Sequence, residues 1–560
     1  MGGKPPRPPP ASRLRPPASA GIGSRIDPAS PHTLPPWTGV AGALAITFAA
    51  YIASMTAGYV WDDEALVLLN RALSHPTWRT LLASDLWCCS GTTTSGYWRP
   101  ITTLSFFTDV ALFGYVPAWA HLHSLLWHLA CTALVGALVH QRHGWIRAGI
   151  AALIFGLHPI QSEAVVWIAA RNDLLATTFA VGAMLSVDRG RAWFAVGCAT
   201  MAALSKESSF LLPLLAVLWV WAHDGVGGVM ARWRALVGAA CGLGLALAAR
   251  QYVNLGRAAE FQRVPLEDPF ASLHGVVRLL GWLVWPWPLT GTATLYLPRP
   301  GPEVWISAGI AVLLAILAIR AAPRRGTGLV AMLLVSALPM AAALTVFATL
   351  GERYLYLPMI GVAALVATSV PLGRTSAAVL TTWALGALLA IHVRLPDWIN
   401  NLTFFHAAAM RAPDSFSWDL YGAELVRRDQ HEAGVAALER SLAARPARRF
   451  ACTRIAGAAK AVMSAEALKA RLPDWRAAGC ADLPAFEFQV AWSLSVLGDE
   501  PGALAALSLA HGEHSGVRSA LSASIALRDG DLWTAAATLA ADPEAPEARA
   551  RLGTLRALRR

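Results

Sequence analysis

Between residues 38 and 394 the chain alternates long apolar runs with short polar stretches. The runs are long enough to be read as membrane-spanning helices. They lie near 38–58, 121–141, 146–160, 164–187, 191–205, 209–223, 235–250, 304–320, 327–350, 354–370 and 376–394, which makes about eleven spans. A further run, 274–290, is shorter and is broken by "WPWPL", so an interfacial or re-entrant helix is expected there. From residue 395 onward the apolar positions recur at helical spacing with polar residues between them, which predicts packed helices outside the bilayer.

Within that last region three stretches resemble one another: "RRDQHEAGVAALERSL" (427–442), "VLGDEPGALAALSL" (496–509) and "LRDGDLWTAAATLA" (527–540). Their spacing fits a helix pair repeating at about 34 residues, the tetratricopeptide period. The expected organisation is therefore a disordered cytoplasmic tail over 1–36, a membrane domain over 37–395 and a tetratricopeptide-like repeat domain over 396–560. The fold class is all-α: a polytopic helical bundle followed by an α-solenoid.

Composition agrees. Of 560 residues 55% are apolar and only 14% are charged, well below the share in soluble domains. The net charge of +11 would suit nucleic acid, but the excess basic residues sit in the Pro-rich N-terminal segment and in short loops. That is the distribution of orientation signals. One set of loops carries Arg142, Arg147, Arg189, Arg191, Arg232, Arg234, Arg320, Arg324, Arg325 and Arg374. The short loops of the other set carry only Lys206 and Arg353. With the tail inside, the polar motifs "WDDE" (61–64), "YWRP" (97–100), "LHPIQSEAVVWIAARND" (157–173), "LSKESS" (204–209) and "GERYLYLP" (351–358) all fall on the outer side. Their convergence predicts one site at the outer membrane surface.

The cysteines give no zinc spacing. Cys452 and Cys480 are candidates for a disulfide if their region is exported. His121 and His128 are two helical turns apart, about 10 Å along the axis, too far to share a metal ion. Neither a phosphate-cradling Gly loop nor a nucleophile elbow is present in the sequence.

The order "WDDEALVLLN", "YWRPITTLSFFTDVALFG", "AHLHSLLWHL", "HPIQSEAVVWIAARNDLLA", "LSKESSFLLPLL", "ERYLYLPMIG", followed by repeat-like helices, resembles the transmembrane and tetratricopeptide-repeat-containing O-mannosyltransferases and their bacterial relatives, which have the GT-C glycosyltransferase fold. Ser124 and Asn172 depart from the residues usual in that family. The resemblance implies a polyprenyl-phosphate sugar donor, mannose first among sugars, and transfer by inversion to an acceptor, expected to be a polypeptide, on the periplasmic or luminal face. A bacterial inner membrane is the expected location. A metal requirement stays open. Transfer needs a carboxylate for the nucleophile and cations for the leaving phosphate. By the family's pattern the acid belongs in the first outer loop, so Asp63 and Asp62 are the candidates, with a slight preference for Asp63. Arg353, Lys206 and Arg171 are the candidate phosphate ligands. His121, His158, Glu163, Asp173, Arg99, Glu207 and Tyr354 are expected as supporting polar groups. Arg171 and Asp173 fall about 10 Å inside the fourth span, a depth that calls for function or for pairing of Arg171 with Asp173 or Glu163.

Two other classes compete. A transporter would place its ionisable groups near the bilayer midplane and often shows an internal repeat. A membrane-anchored scaffold would need neither the many spans nor the outer charged motifs. The repeat array, standing on the side of the acids, is expected to hold the acceptor, so a chain ending near residue 400 is expected to keep transfer to a small surrogate acceptor.

The orientation has a direct check. Cysteine substituted at Arg440 is expected to react with a membrane-impermeant thiol reagent without opening the inner membrane; labelling only after the inner membrane is opened would reverse the topology.

Overall fold

The computed structural model describes residues 2–3, 35, 37–89, 95–254, 271–291, 293–294, 301–340, 349–444, 449–481 and 483–510. Nearly all of the basic tail, part of the 327–350 run and the third repeat-like stretch, 527–540, lie outside these residues.

The described part is built of helices. In the membrane half these are α1 (Thr38–Tyr51), α2 (Pro100–Phe113), α3 (Pro117–Leu157), α4 (Arg171–Asp188), α5 (Ala192–Ser205), α6 (Leu212–Ala231), α7 (Trp233–Asn254), α8 (Ala271–Trp282), α9 (Pro302–Ala321), α10 (Pro323–Ser336), α11 (Met359–Ser369) and α12 (Arg374–Arg394). Among the described residues six helical stretches are long and apolar enough to cross a membrane, or seven if the bent pair Pro159–Val166 and Ile168–Asp188 is one span. α2, α5 and α11 are shorter apolar helices.

Part of the gap between these numbers and the eleven predicted runs lies in α3. It is two helices that meet at Gly144, whose φ of +77° and ψ of 177° are not helical, a backbone setting that glycine adopts without steric cost. The two legs fold back on one another there. His128 of the first leg sits 3.1 Å from the Gly156 carbonyl of the second, and the His128 and Phe155 rings are 5.9 Å apart. The predicted runs 121–141 and 146–160 are thus separate, antiparallel rods. α1 lies against the second leg so closely that a Cβ on Gly149 would come within 3.2 Å of the Gly39 Cα.

The fourth predicted run, 164–187, is corrected. It is not one helix: Trp167 is extended (φ −76°, ψ 115°), and the two helical pieces meet at 98°. Pro159 and the side-chain cap of His158 shape the first piece, and α4 starts afresh at Arg171. α4, α5 and α7 then pack side by side.

α8 has 12 residues, about 18 Å of helix, too short for the hydrocarbon thickness. Val277, Leu279 and Trp282 are buried while Leu273, Trp285 and Trp287 are exposed, the two-faced pattern of an interfacial helix. The following segment is tied to the turn after α10. Residues 293–294 pair antiparallel with 349–350, and Glu352 accepts the backbone N–H groups of Thr290 at 2.6 Å and Gly291 at 3.0 Å. The other Glu352 oxygen meets Arg394 at 2.5 Å, both side chains being buried.

Beyond the bilayer segments come α13 (Asn401–Arg411), α14 (Ser415–Arg427), α15 (His431–Ala443), α16 (Arg449–Ala459), α17 (Ala465–Trp475), α18 (Pro484–Val496) and α19 (Glu500–Leu509). Successive helices pack on their neighbours: α13 on α14, α14 on α15, α15 on α16, α16 on α18 and α18 on α19. Cys452 and Cys480 are bonded to each other. The core of the membrane half runs past the compositional change at 395, through Trp398, Phe404, Phe405 and Ala412.

Removing one partner of a buried ion pair strands the other. Arg394→Met is therefore expected to lower stability by about 3–5 kcal/mol, and the double change Arg394→Met with Glu352→Gln to recover part of it. Thermal unfolding in detergent reads both, and an equal loss in the single and double variants would rule out the pair as the cause.

Candidate functional site

The "WDDE" motif follows α1 and a short helical turn at Ile52–Thr56. Trp61 opens the motif with φ +53°, a left-handed setting that is costly for a bulky residue. Three contacts hold it. Its N–H donates to Asn401 Oδ1 at 2.7 Å, its ring stacks on Trp167 at 5.0 Å and 8°, and Phe404 and Phe416 lie 6.1 Å away. The same Asn401 donates its amide N–H to Glu64 Oε1 at 2.7 Å. One side chain thus pins the residues on both sides of Asp62 and Asp63.

The two acids separate into different surroundings. Asp63 is fully buried. One of its oxygens accepts the Val60 N–H at 3.1 Å and the other the Ala169 N–H at 2.7 Å. It joins the start of the first loop to the break before α4. Asp62 stays partly exposed and makes no hydrogen bond or ion pair among the described residues; its charged neighbour is Arg353. Burial pushes Asp62 up to about 6, with Arg353 pulling it down. Burial pushes Asp63 up to about 8, against its two backbone hydrogen bonds, while Asp62 raises it further.

Arg353 follows the strand-like pair at 349–350. Glu163, fully buried at the start of the 162–166 helix, holds it twice. One Glu163 oxygen accepts the Arg353 backbone N–H at 2.8 Å, and the other pairs with the guanidinium. The guanidinium lies 4.7 Å from the Trp167 ring and 4.9 Å from the Tyr354 ring. Lys206, between α5 and the turn before α6, contacts both Asp173 oxygens at 2.6 Å, and its ammonium lies 5.7 Å from Tyr354. Arg99, just before α2, donates to Glu207 at 2.7 and 3.0 Å, and Arg250 takes the other Glu207 oxygen at 2.7 Å. Lys206 is within electrostatic reach of both Arg99 and Arg353. Burial draws the Lys206 ammonium below its ordinary value, with Asp173 opposing.

The structure therefore brings together Asp62, Arg353, Lys206, Arg99 and Tyr354, with Glu163 holding Arg353, Asp173 holding Lys206 and Glu207 shared by Arg99 and Arg250. A guanidinium has five N–H donors and an ammonium three, so each cation keeps donors to spare. His121 contacts the Gly58 carbonyl at 3.3 Å, bracing the approach to the acids. His158 caps its own turn and faces the Leu283 carbonyl at 3.3 Å, apart from the cations.

Arg171 is a correction. It is fully buried and does not join the cluster, and it pairs with neither Asp173 nor Glu163. Its partners are Asp109 at 2.5 Å, Ala120 O at 2.7 Å, Ser124 Oγ at 3.1 Å and Ser105 O at 3.2 Å. Its donors are taken up inside the bundle. Sequence reading passed over Asp109, although a lone acid in the apolar stretch "SFFTDVALF" is a signal of a buried partner. It also passed over Asn401, Arg250 and the Glu352–Arg394 pair. Asn401 carries no local signal, because its partners lie some 340 residues earlier in the chain.

The Asn401 contacts revise the expectation for a shortened chain. A chain ending near residue 400 lacks Asn401, Phe404 and Phe416, and is expected to lose transfer even to a small acceptor. Asn401→Ala, which leaves the Trp61 N–H without its acceptor and takes one of two partners from Glu64, is expected to lower stability by about 1–3 kcal/mol. Thermal unfolding in detergent at the temperature of the parent chain would remove Asn401 from this role.

No family model matches the chain. It is 31% identical over 192 residues to Protein O-mannosyl-transferase Tmtc2 of Drosophila melanogaster, covering 31% of this chain and 20% of the relative. It is 32% identical over 197 residues to Protein O-mannosyl-transferase Tmtc1 of the same organism, covering 32% and 22%. To human Protein O-mannosyl-transferase TMTC3 it is 29% identical over 150 residues, covering 26% and 16%. The chain thus spans about a fifth of the length of these curated relatives. Among solved structures, ArnT from Cupriavidus metallidurans bound to undecaprenyl phosphate aligns over 87% of this chain and 80% of its own, at 17% identity and a TM-score of 0.41. The likeness to protein O-mannosyl-transferases that the motifs carried is thereby borne out at the level of sequence.

Proposed function

We propose that this chain is an integral membrane glycosyltransferase of the GT-C type that moves mannose from a polyprenyl phosphate to a hydroxyl of a polypeptide on the periplasmic face. The observation that carries this reading is the partly exposed carboxylate of Asp62 beside Arg353, with Lys206, Arg99 and Tyr354 grouped around the same point. The sequence likeness to O-mannosyl-transferases supports the sugar and the acceptor class. The Cys452–Cys480 bond supports an oxidising, exported setting for the C-terminal helices. The eleven-span count, the inside placement of the basic loops and the tetratricopeptide-like array as holder of the acceptor belong to the same proposal.

The chemistry follows from the surroundings. The acceptor oxygen attacks the anomeric carbon while the bond from that carbon to the phosphate oxygen breaks, which inverts the configuration. Asp62 takes the acceptor proton. The electron pair leaves on the polyprenyl phosphate, whose growing charge Arg353 and Lys206 stabilise. Asp63 acts differently from the order of preference read in the sequence: with both oxygens on backbone N–H groups, it positions the turn rather than meeting the acceptor.

Asp62→Asn is expected to reduce transfer by about 10²–10⁴, and Asp63→Asn to reduce it less while lowering thermal stability. Near-normal turnover in both variants would move the site elsewhere. Arg353→Ala, and to a smaller degree Lys206→Ala, are expected to weaken use of the lipid donor by roughly 10- to 150-fold, the worth of a charge-assisted hydrogen bond. Unchanged donor kinetics in both would dismiss the cations.

The pH dependence has a definite sign. A base acts when deprotonated, so transfer is expected to fall as pH drops below about 6, the value to which burial raises Asp62. Arg353 lowers that value, so the falling limb should move to higher pH in Arg353→Ala. A limb that stays in place would show that another group titrates.

A further inference from the structure

At the far end of α6 from the acid cluster lies a second polar cleft, of about 450 Å³, lined by Arg142, His143, His223, Asp224, Arg324 and Arg325. α6 is broken at Gly225, which has φ +69°; His223 lies just before that break, about 17 Å from Leu212 at 1.5 Å per residue, and the 3-10 turn Glu207–Leu211 after Lys206 adds about 10 Å at 2 Å per residue. That separation approaches the thickness of the hydrocarbon core, so the two sites face opposite membrane surfaces.

The charges in the cleft divide into a satisfied set and an open one. Arg142 and Arg232 pair with Asp188 and Asp224, two cations with two anions. Arg324 donates to the His223 carbonyl at 2.7 Å, but neither Arg324 nor Arg325 has an acidic partner among the described residues. Both stand in the first turn of α10, whose N-cap, Ala322, supplies no side-chain cap and which has no acidic residue there. The positive end of a helix repels arginine and favours anions. Two arginines at that position border the cleft with their charge unbalanced.

The histidines satisfy each other and add no donor to the cleft. His223 Nδ1 lies 2.8 Å from the Trp219 carbonyl, so Nδ1 carries the proton and Nε2 is the acceptor in the neutral ring. His143 Nε2, 3.0 Å from His223 Nε2, must then be the donor. Arg325, Arg147 and Arg142 surround His143 electrostatically. Arg147 is committed to the Ala367 and Val370 carbonyls, which leaves Arg324 and Arg325 as the cations facing an incoming ligand.

We propose that this cleft is a phosphate-group site at the membrane surface opposite the transfer site, with Arg324, Arg325 and the start of α10 as its ligands. The phosphate can be that of an anionic phospholipid or a free one, and the test separates them. Full-length protein in nanodiscs of phosphatidylcholine, with or without phosphatidylglycerol, is examined by native mass spectrometry for retained lipid, and inorganic phosphate is tested by thermal shift. Selective retention of phosphatidylglycerol is expected, falling about tenfold in R324Q/R325Q and less in R325Q, whose parent side chain makes no hydrogen bond among the described residues. The control R191Q/R234Q removes the same charge from nearby helix starts and should leave retention unchanged. A melting shift with phosphate in the parent chain but not in R324Q/R325Q, without lipid selectivity, upholds the site and assigns it to a free phosphate. Equal loss in the control, or no loss in any variant with either probe, overturns the proposal.

Discussion

Glu163 takes hold of Arg353 twice, through the backbone N–H and through the guanidinium, and the surroundings of the two acids are organised around that grip. Glu163 belongs to the broken segment before α4, and Arg353 belongs to the turn before α11. A fully buried carboxylate is tolerated only with such pairing. Satisfying it fixes the separation of two segments about 190 residues apart. Trp167 and Tyr354 are then placed against the guanidinium, and Trp167 in turn receives Trp61. The acids reach their position by way of this chain of contacts.

The same surface shows why the post-membrane helices cannot be treated as an appendage. Trp61 is held in a costly backbone setting by groups from α13 and its surroundings, and Glu64 is shared between Asn401 and Arg427. The strain sits next to the acids, where an over-determined backbone can fix a side chain that makes no bonds of its own.

Much of this was legible from residue order. The apolar runs, the reversal between 121–141 and 146–160 and the short helix after residue 270 follow from length and composition, because burial in lipid leaves few alternatives to helix. The gathering of Arg353, Lys206 and Arg99 was foreshadowed by their motifs falling on one side. What was not legible were pairings. Arg171 chose Asp109, Glu163 chose Arg353 and Asp173 chose Lys206. Such choices depend on where helices break, and the extended backbone at Trp167 breaks the helical spacing that sequence reasoning assumed. The preference between Asp62 and Asp63 turned on backbone N–H groups, which no side-chain pattern announces.

Each cation of the cluster rests against a carboxylate: Arg353 on Glu163, Lys206 on Asp173, and Arg99 on Glu207, which Arg250 shares. On the proposed chemistry this bears on turnover. The donor is a phosphodiester with one negative charge, whereas the lipid product is a monoester that carries close to two near neutrality. A clamp of bare arginine and lysine would grip the spent carrier more tightly than the fresh one and stall. Glu163, Asp173 and Glu207 act as internal competitors that reclaim their cations once the sugar has gone. The carrier can then depart into the bilayer, and the cations return to their resting partners.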